Sequence, residues 1–158
     1  MSPDDALIPA FVLKAVKSDA KSQSKAFLAR YKSDDKYSNE ELIEYWQQLG
    51  TEENKIAFLS SVKPRENVLR IILGIEKDKE LKEIIEDVLS GKAKVKFNVI
   101  EWYQDGKLHR DNDKQAAIYS NGMKYWIKNG IIHRENDQPA IIYSNGTKEW
   151  WLNGKKYK

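Results

Sequence analysis

His109 and His133 are the only histidines in the chain, one repeat length apart (133 − 109 = 24). An imidazole titrates near neutrality and serves as general acid, general base or metal ligand. Either role needs further groups converging on the rings, and the pattern supplies none. Tyr157 stands at the third equivalent position, and the chain has no Cys to add thiolates or disulfides. No catalytic residue, metal site or cofactor is therefore expected, and a His-dependent hydrolase is the weakest reading. The expected role is packing: each His against Trp102 or Trp126, with Tyr an acceptable substitute, as at Tyr157. The run H-R-D-N from His109 to Asn112 matches a protein-kinase catalytic loop in four letters. It comes without a Gly-rich loop, a strand lysine or D-F-G. Its expected use is structural. Arg110 and Arg134 should pair with Asp113 and Asp137 inside their own loops, while Asn112 and Asn136 shape turns.

A second chemistry lies in Lys124, Lys128, Lys148, Lys155, Lys156 and Lys158, interleaved with Tyr and Trp. Lysines attract phosphates and aromatic rings stack on bases, so nucleic acid is the alternative partner. Lysines also guard edge strands against pairing with other chains. Anionic lipid headgroups fit less well, because no basic amphipathic helix or acylation motif accompanies the patch. Trp and Tyr are common anchors in protein interfaces. The leading expectation is a non-enzymatic protein–protein interaction module. Its candidate binding residues are Tyr119, Lys124, Trp126, Tyr143, Lys148, Trp150, Trp151, Lys155 and Lys156. Trp151 is the expected solvent-facing anchor.

These residues are set out by a repeat. Trp102, Trp126 and Trp150 align at a period of 24 (126 − 102, and 150 − 126), and about half the positions of the first two copies are identical. Asp105-Gly106, Asn121-Gly122, Asn129-Gly130, Asn145-Gly146 and Asn153-Gly154 read as five two-residue type I′ turns, because Asn, Asp and Gly tolerate positive φ. Between them lie runs of Ile, Tyr and Trp suited to strands. The result is an antiparallel meander in which each copy extends one sheet. Two-residue turns would set Tyr119 opposite Lys124, Ala117 opposite Trp126, and Trp126 opposite His133. Tyr119, Lys124, Trp126 and His133 would then share one face, with Tyr143, Lys148, Trp150 and Tyr157 recurring there.

The run W-x-x-N-G-x-x-H-R-x-N-D-x-P-A-I-I-Y-S-N-G-T-K-x-W resembles a variant of the MORN repeat, a β-hairpin carrying Tyr or Trp, an N-G or D-G turn and a His in the second strand. The resemblance covers Trp102–Lys158. In the commoner pattern Gly follows the His, where this chain has Arg110 and Arg134. The resemblance implies a binding or assembly module with an exposed β groove and no intrinsic catalysis; lipid binding and scaffolding are the family's roles. Repeats in this H-R form are similar to those in proteins of large DNA viruses, phages and some bacteria, which would make a host factor the partner.

The earlier residues follow a helical period. Leu81, Ile84, Ile85, Val88 and Leu89 form one apolar stripe, with Asp78 as N-cap and Gly91 as the stop. Ser38 and Glu41 form a capping box, Thr51 caps a second helix, and Pro64 precedes a third carrying Val68, Leu69, Ile71, Ile72 and Leu73. Two more helices are expected near Asp4–Lys17 and Lys21–Lys32. Residues 1–91 carry 14 Lys/Arg against 17 Asp/Glu, whereas residues 92–158 carry 13 against 7, so the charge changes sign where the period changes. The division is a helical domain over 1–91 and a hairpin-repeat domain over 95–158, with the boundary near Gly91–Lys94. The fold class is α+β: five or six short helices, then an antiparallel meander. The 41% hydrophobic and 32% charged content is globular rather than disordered. Acidic residues ahead of a short apolar run at the start do not make a signal peptide, so a soluble cytoplasmic protein is expected.

Overall fold

The computed structural model describes residues 38–158. Four helices come first: α1 (Asn39–Gln48), α2 (Glu52–Val62), α3 (Glu66–Ile75) and α4 (Lys79–Ser90). Their ends follow the capping chemistry of the sequence. Ser38 Oγ accepts from the Glu41 N–H at 3.1 Å, Thr51 Oγ1 from Asn54 at 3.1 Å, and Asp78 Oδ1 from Leu81 at 3.0 Å. Lys63 at φ 54° ends α2 ahead of Pro64, and Gly91 at φ 87° ends α4. Of the five or six helices expected, four stand among the described residues. The two expected near Asp4–Lys17 and Lys21–Lys32 lie outside them.

Eleven short strands follow: β1 (Ala93–Lys96), β2 (Val99–Gln104), β3 (Lys107–Leu108), β4 (Ala117–Tyr119), β5 (Lys124–Tyr125), β6 (Ile127–Lys128), β7 (Ile131–Ile132), β8 (Ile141–Ile142), β9 (Lys148–Glu149), β10 (Trp151–Leu152) and β11 (Lys155–Lys156). The main sheet runs β1-β2-β4-β5-β8-β9, all antiparallel, with β3 paired to β2. Hairpins β6–β7 and β10–β11 stand off it as separate two-stranded ladders. Each copy therefore gives two strands to the common sheet and one side hairpin.

The two kinds of hairpin use two kinds of turn. Asp105-Gly106, Asn129-Gly130 and Asn153-Gly154 have positive φ at both residues (52° and 77°, 51° and 80°, 50° and 80°), as type I′ requires. Gly122 and Gly146 are also left-handed (93° and 89°), but Asn121 and Asn145 are not among the positive-φ residues. There Tyr119 N–H bonds Met123 O, and Gly122 N–H bonds Tyr119 O, at 2.9 Å each. That closes a three-residue loop with a bulge at the glycine, and the Asn121 carboxamide oxygen accepts from Met123 N–H at 2.9 Å. Two of the five expected type I′ turns are therefore of the longer form.

The extra residue shifts the register by one. Ala117 pairs with Tyr125 and Ile118 with Lys124, not Ala117 with Trp126 and Tyr119 with Lys124 as expected. Because side chains alternate along a strand, one residue of slip moves them to the other face. Tyr119 and Tyr143 thus stand on the opposite face from Lys124 and Lys148. The pairing of Trp with His holds: His109 N–H bonds Trp102 O at 2.9 Å and His133 N–H bonds Trp126 O at 3.1 Å.

The row Ile100–Ile118–Lys124–Ile142–Lys148 lies on the face that the helices cover. One hydrophobic cluster joins Leu42, Trp46, Phe58, Leu59, Ile72 and Ile85 of the helices to Ala93, Ile100, Trp102 and Ile118 of the sheet. It runs straight across the change from helix to strand at Gly91. Within the helical layer the Glu76 carboxylate gathers Trp46 Nε1 (3.1 Å), Lys55 Nζ (2.6 Å) and the backbone N–H groups of Lys77 and Asp78 (both 3.0 Å).

Two predictions follow from this geometry. Ile118→Ala removes a buried sheet residue from the shared cluster and should cost about 2–5 kcal/mol. Far-ultraviolet circular dichroism and tryptophan fluorescence should then melt together at a lower temperature, whereas two separated transitions would contradict a shared core. Asn129→Ala places alanine in a left-handed conformation at a cost of about 1–2 kcal/mol. Asn121→Ala loses only the carboxamide bond, about 0.5–1.5 kcal/mol. Thermal denaturation should rank Asn129→Ala as the more damaging, and the reverse order would refute the assignment of the two turns.

Candidate functional site

The copies are joined by a recurring set of contacts. Asn129 N–H donates to His109 Nδ1 at 3.0 Å, and Asn153 N–H to His133 Nδ1 at 2.9 Å. Beside these bonds, Gly130 N–H reaches Leu108 O at 2.8 Å and Gly154 N–H reaches Ile132 O at 2.9 Å. Each side hairpin is therefore docked by its turn onto the hairpin before it. An imidazole accepting at Nδ1 carries its proton on Nε2. His109 Nε2 accordingly faces Asp111 Oδ1 at 2.8 Å, and His133 Nε2 faces Glu135 Oε1 at 3.5 Å. Both ring nitrogens are committed within the fold, and among the described residues no group of three or more His, Cys, Asp or Glu is arranged to hold a metal.

The arginines differ from expectation in their partners. Arg134 Nε and Nη2 grip Asp113 of the preceding copy at 2.8 and 3.2 Å, rather than Asp137 of its own loop. Its guanidinium lies 3.9 Å above the Trp126 ring. Arg110 stacks on Trp102 at 3.8 Å and meets Glu83 of α4 at 3.6 Å, not Asp113. In each case the loop places its own Asn-Asp pair in left-handed backbone and points the Asp away toward the next copy. Arg134 holds the Asp113 carboxyl below its ordinary pKa by hydrogen bonding, and Lys158 does the same to Asp137. Trp126 Nε1 donates to Asp113 O and Trp150 Nε1 to Asp137 O, both at 3.1 Å. Trp126 is 6% exposed and serves this internal contact, so it is not a surface anchor.

The opposite face of the sheet carries a different set. Tyr103, Tyr119, Tyr125, Tyr143 and Trp151 lie along it, each half-buried. Tyr119 and Tyr125 meet edge to face at 5.9 Å between ring centres. Burial raises both hydroxyl pKa values, that of Tyr119 further through Glu101 and Tyr103, that of Tyr125 through Tyr119, Tyr143 and Glu149. A carboxylate fixes each end of the row. Glu101 accepts from the Tyr103 hydroxyl (2.9 Å) and pairs with Lys96 (3.0 Å), and Lys94 and Lys96 lie over the Tyr103 ring. Glu149 accepts from Trp151 Nε1 (3.0 Å) and from Lys156 (3.3 Å).

Of the residues singled out in the sequence, Tyr119, Tyr143, Trp151 and Lys156 come together here. Trp151 is tied to Glu149 and half-buried rather than a free-standing anchor. Lys124, Lys148, Trp126 and Trp150 belong to other surroundings, and Lys155 sits at a hairpin tip. Tyr103, Tyr125, Glu101 and Glu149 were missed. Tyr125 has Glu149 as its repeat partner, so the repeat does not mark it as an aromatic position, yet the two occupy equivalent places on this face. Asn-Gly fits both turn types, so the dipeptide alone does not reveal the register that puts Tyr125 beside Tyr119.

Comparison of the chain with protein-family models, with curated proteins and with solved structures yields no match. Among the described residues no helix is long and apolar enough to cross a membrane.

The acceptor role of His109 argues against the expectation that tyrosine is an acceptable substitute there. His109 is 9% exposed, and a tyrosine there has no ring nitrogen to receive the Asn129 N–H. Tyr157 has the same limit and instead donates its hydroxyl to Asp137 at 3.2 Å. His109→Tyr should cost about 0.5–1.5 kcal/mol, the net worth of the lost hydrogen bond. Chemical denaturation of that variant checks this, and a stability equal to the parent would refute the bond.

Proposed function

We propose that this chain is a non-enzymatic interaction protein and that its tyrosine-bearing sheet face docks a protein partner. The observation that carries the reading is the construction of that face. Four tyrosines and Trp151 lie side by side on the sheet surface away from the helices, with Tyr103 anchored by Glu101, Tyr143 and Trp151 by Glu149, and Tyr119 and Tyr125 packed against each other. Rings held in place lose little freedom on binding, and aromatic side chains contribute much of the energy in protein interfaces.

The charge of the face also favours a protein over nucleic acid. Lys96 and Lys156, which flank the rings, are neutralised by Glu101 and Glu149. A phosphate backbone needs cations available to it, and steep loss of affinity with salt is its signature. The resemblance of the hairpins to MORN repeats agrees with a binding or assembly role. Their virus- and phage-like spelling makes a host protein, in the cytoplasm of the host, the first partner to seek.

The test is affinity capture from lysate of the native host, with the parent and a Tyr125→Ser/Tyr143→Ser double variant. Both side chains are surface-accessible, so circular dichroism should show an unchanged fold. A protein species held by the parent should be reduced at least about tenfold by the variant, the loss of roughly 1.4 kcal/mol of binding. Equal retention by both, or salt-steep binding of an oligonucleotide that the variant abolishes, would overturn the reading.

A further inference from the structure

The tips of the three side hairpins stack into a ridge. The turns Asp105-Gly106, Asn129-Gly130 and Asn153-Gly154 follow one another through the bonds to Leu108, His109, Ile132 and His133 described above. Packing is close: a Cβ on Gly130 would lie 3.8 Å from the Lys107 side chain, and one on Gly154 would lie 3.0 Å from Ile131. Flanking the turns are the cross-strand pairs Gln104–Lys107, Lys128–Ile131 and Leu152–Lys155. Opposed residues in an antiparallel pair project to the same side, so these six form a small grid.

The lysines of this grid differ from four others in the repeats. Lys96, Lys114, Lys156 and Lys158 each have a carboxylate partner. Lys107, Lys128 and Lys155 are exposed and form no ion pair among the described residues. Lys128 contributes to the field on Asp113, but that carboxylate is already held by Arg134. Asp105, in the first turn, is the one acid on the ridge. Among these cations Ile131 is 48% and Leu152 41% exposed. No aromatic ring belongs to the grid.

We propose that this ridge is a second docking surface, whose occupant is an acidic protein segment carrying aliphatic side chains between its carboxylates. The three uncompensated cations select negative charge by complementarity. Ile131 and Leu152 give an apolar contact that a phosphate backbone does not use, and the absence of rings removes base stacking. The surface is distinct from the tyrosine face, so the two proposals stand or fall separately.

A fluorescent twelve-residue peptide with two leucines flanked by glutamates is the probe, with a lysine-for-glutamate peptide and a single-stranded oligonucleotide as comparators. Binding to the full chain is followed by anisotropy at low and physiological salt. The acidic peptide should bind at least about tenfold more tightly than its basic counterpart. Lys107→Glu/Lys128→Glu/Lys155→Glu should abolish that preference with unchanged circular dichroism. Ile131→Ser should weaken the acidic peptide, while Tyr125→Ser/Tyr143→Ser should leave it unaffected. Failure of the acidic peptide to bind would overturn the proposal. So would tighter binding of the oligonucleotide, or insensitivity to both the lysine reversals and Ile131→Ser.

Discussion

Each repeat tryptophan is clamped from two directions, and the arrangement of the sheet depends on that clamp. A cation of its own copy lies on the ring, and an acceptor from the structure before it takes the indole N–H. For Trp126 these are Arg134 and Asp113 O; for Trp150 they are Lys158, at 5.4 Å, and Asp137 O. Trp102 has no preceding copy. Its indole donates instead to Asp87 of α4 at 2.8 Å, and Glu83 of the same helix meets Arg110. The last turns of α4 thus play the part of a preceding repeat. A hairpin cannot bury its own face. Here the helical layer supplies both the apolar partner for Ile100 and Ile118 and the polar partners for Trp102 and Arg110.

This accounts for the distribution of charge along the chain. Two carboxylates of α4, Glu83 and Asp87, bind the first copy: Glu83 also pairs with Lys114, whose hydrogen bond holds the Glu83 carboxyl below its ordinary pKa. The acidic balance of the helical part and the basic balance of the repeats are therefore complementary across one interface. The change of sign marks a seam that is packed and ion-paired, with the hydrophobic cluster continuous beneath it.

Much of the fold was legible in the sequence because its determinants are local. Ser38, Thr51 and Asp78 mark helix starts by their own side-chain bonds, and the repeated Trp, His and Gly set the order of the hairpins. What could not be read was non-local or degenerate. Asn-Gly satisfies a two-residue type I′ turn and a three-residue bulged loop equally, and the choice decides which face receives Tyr119 and Tyr143. The partner of Arg134 is 21 positions away (134 − 113) in another copy, although Asp137 is nearer in sequence. Proximity along the chain favoured the wrong carboxylate. The same limit hid the acceptor role of the histidines, which is visible only once the next turn is in place.

The cross-copy bonds span fixed separations: from His109 to Asn129 and from His133 to Asn153 is 20 residues in each case (129 − 109, and 153 − 133). Donor and acceptor are therefore both carried by a single 24-residue unit, with its acceptor facing one neighbour and its donor facing the other. Such a unit is a cassette. Duplicating it in register leaves every junction chemically identical, whereas gaining or losing one residue spoils two junctions at once. The architecture can lengthen or shorten by gene duplication only in whole steps.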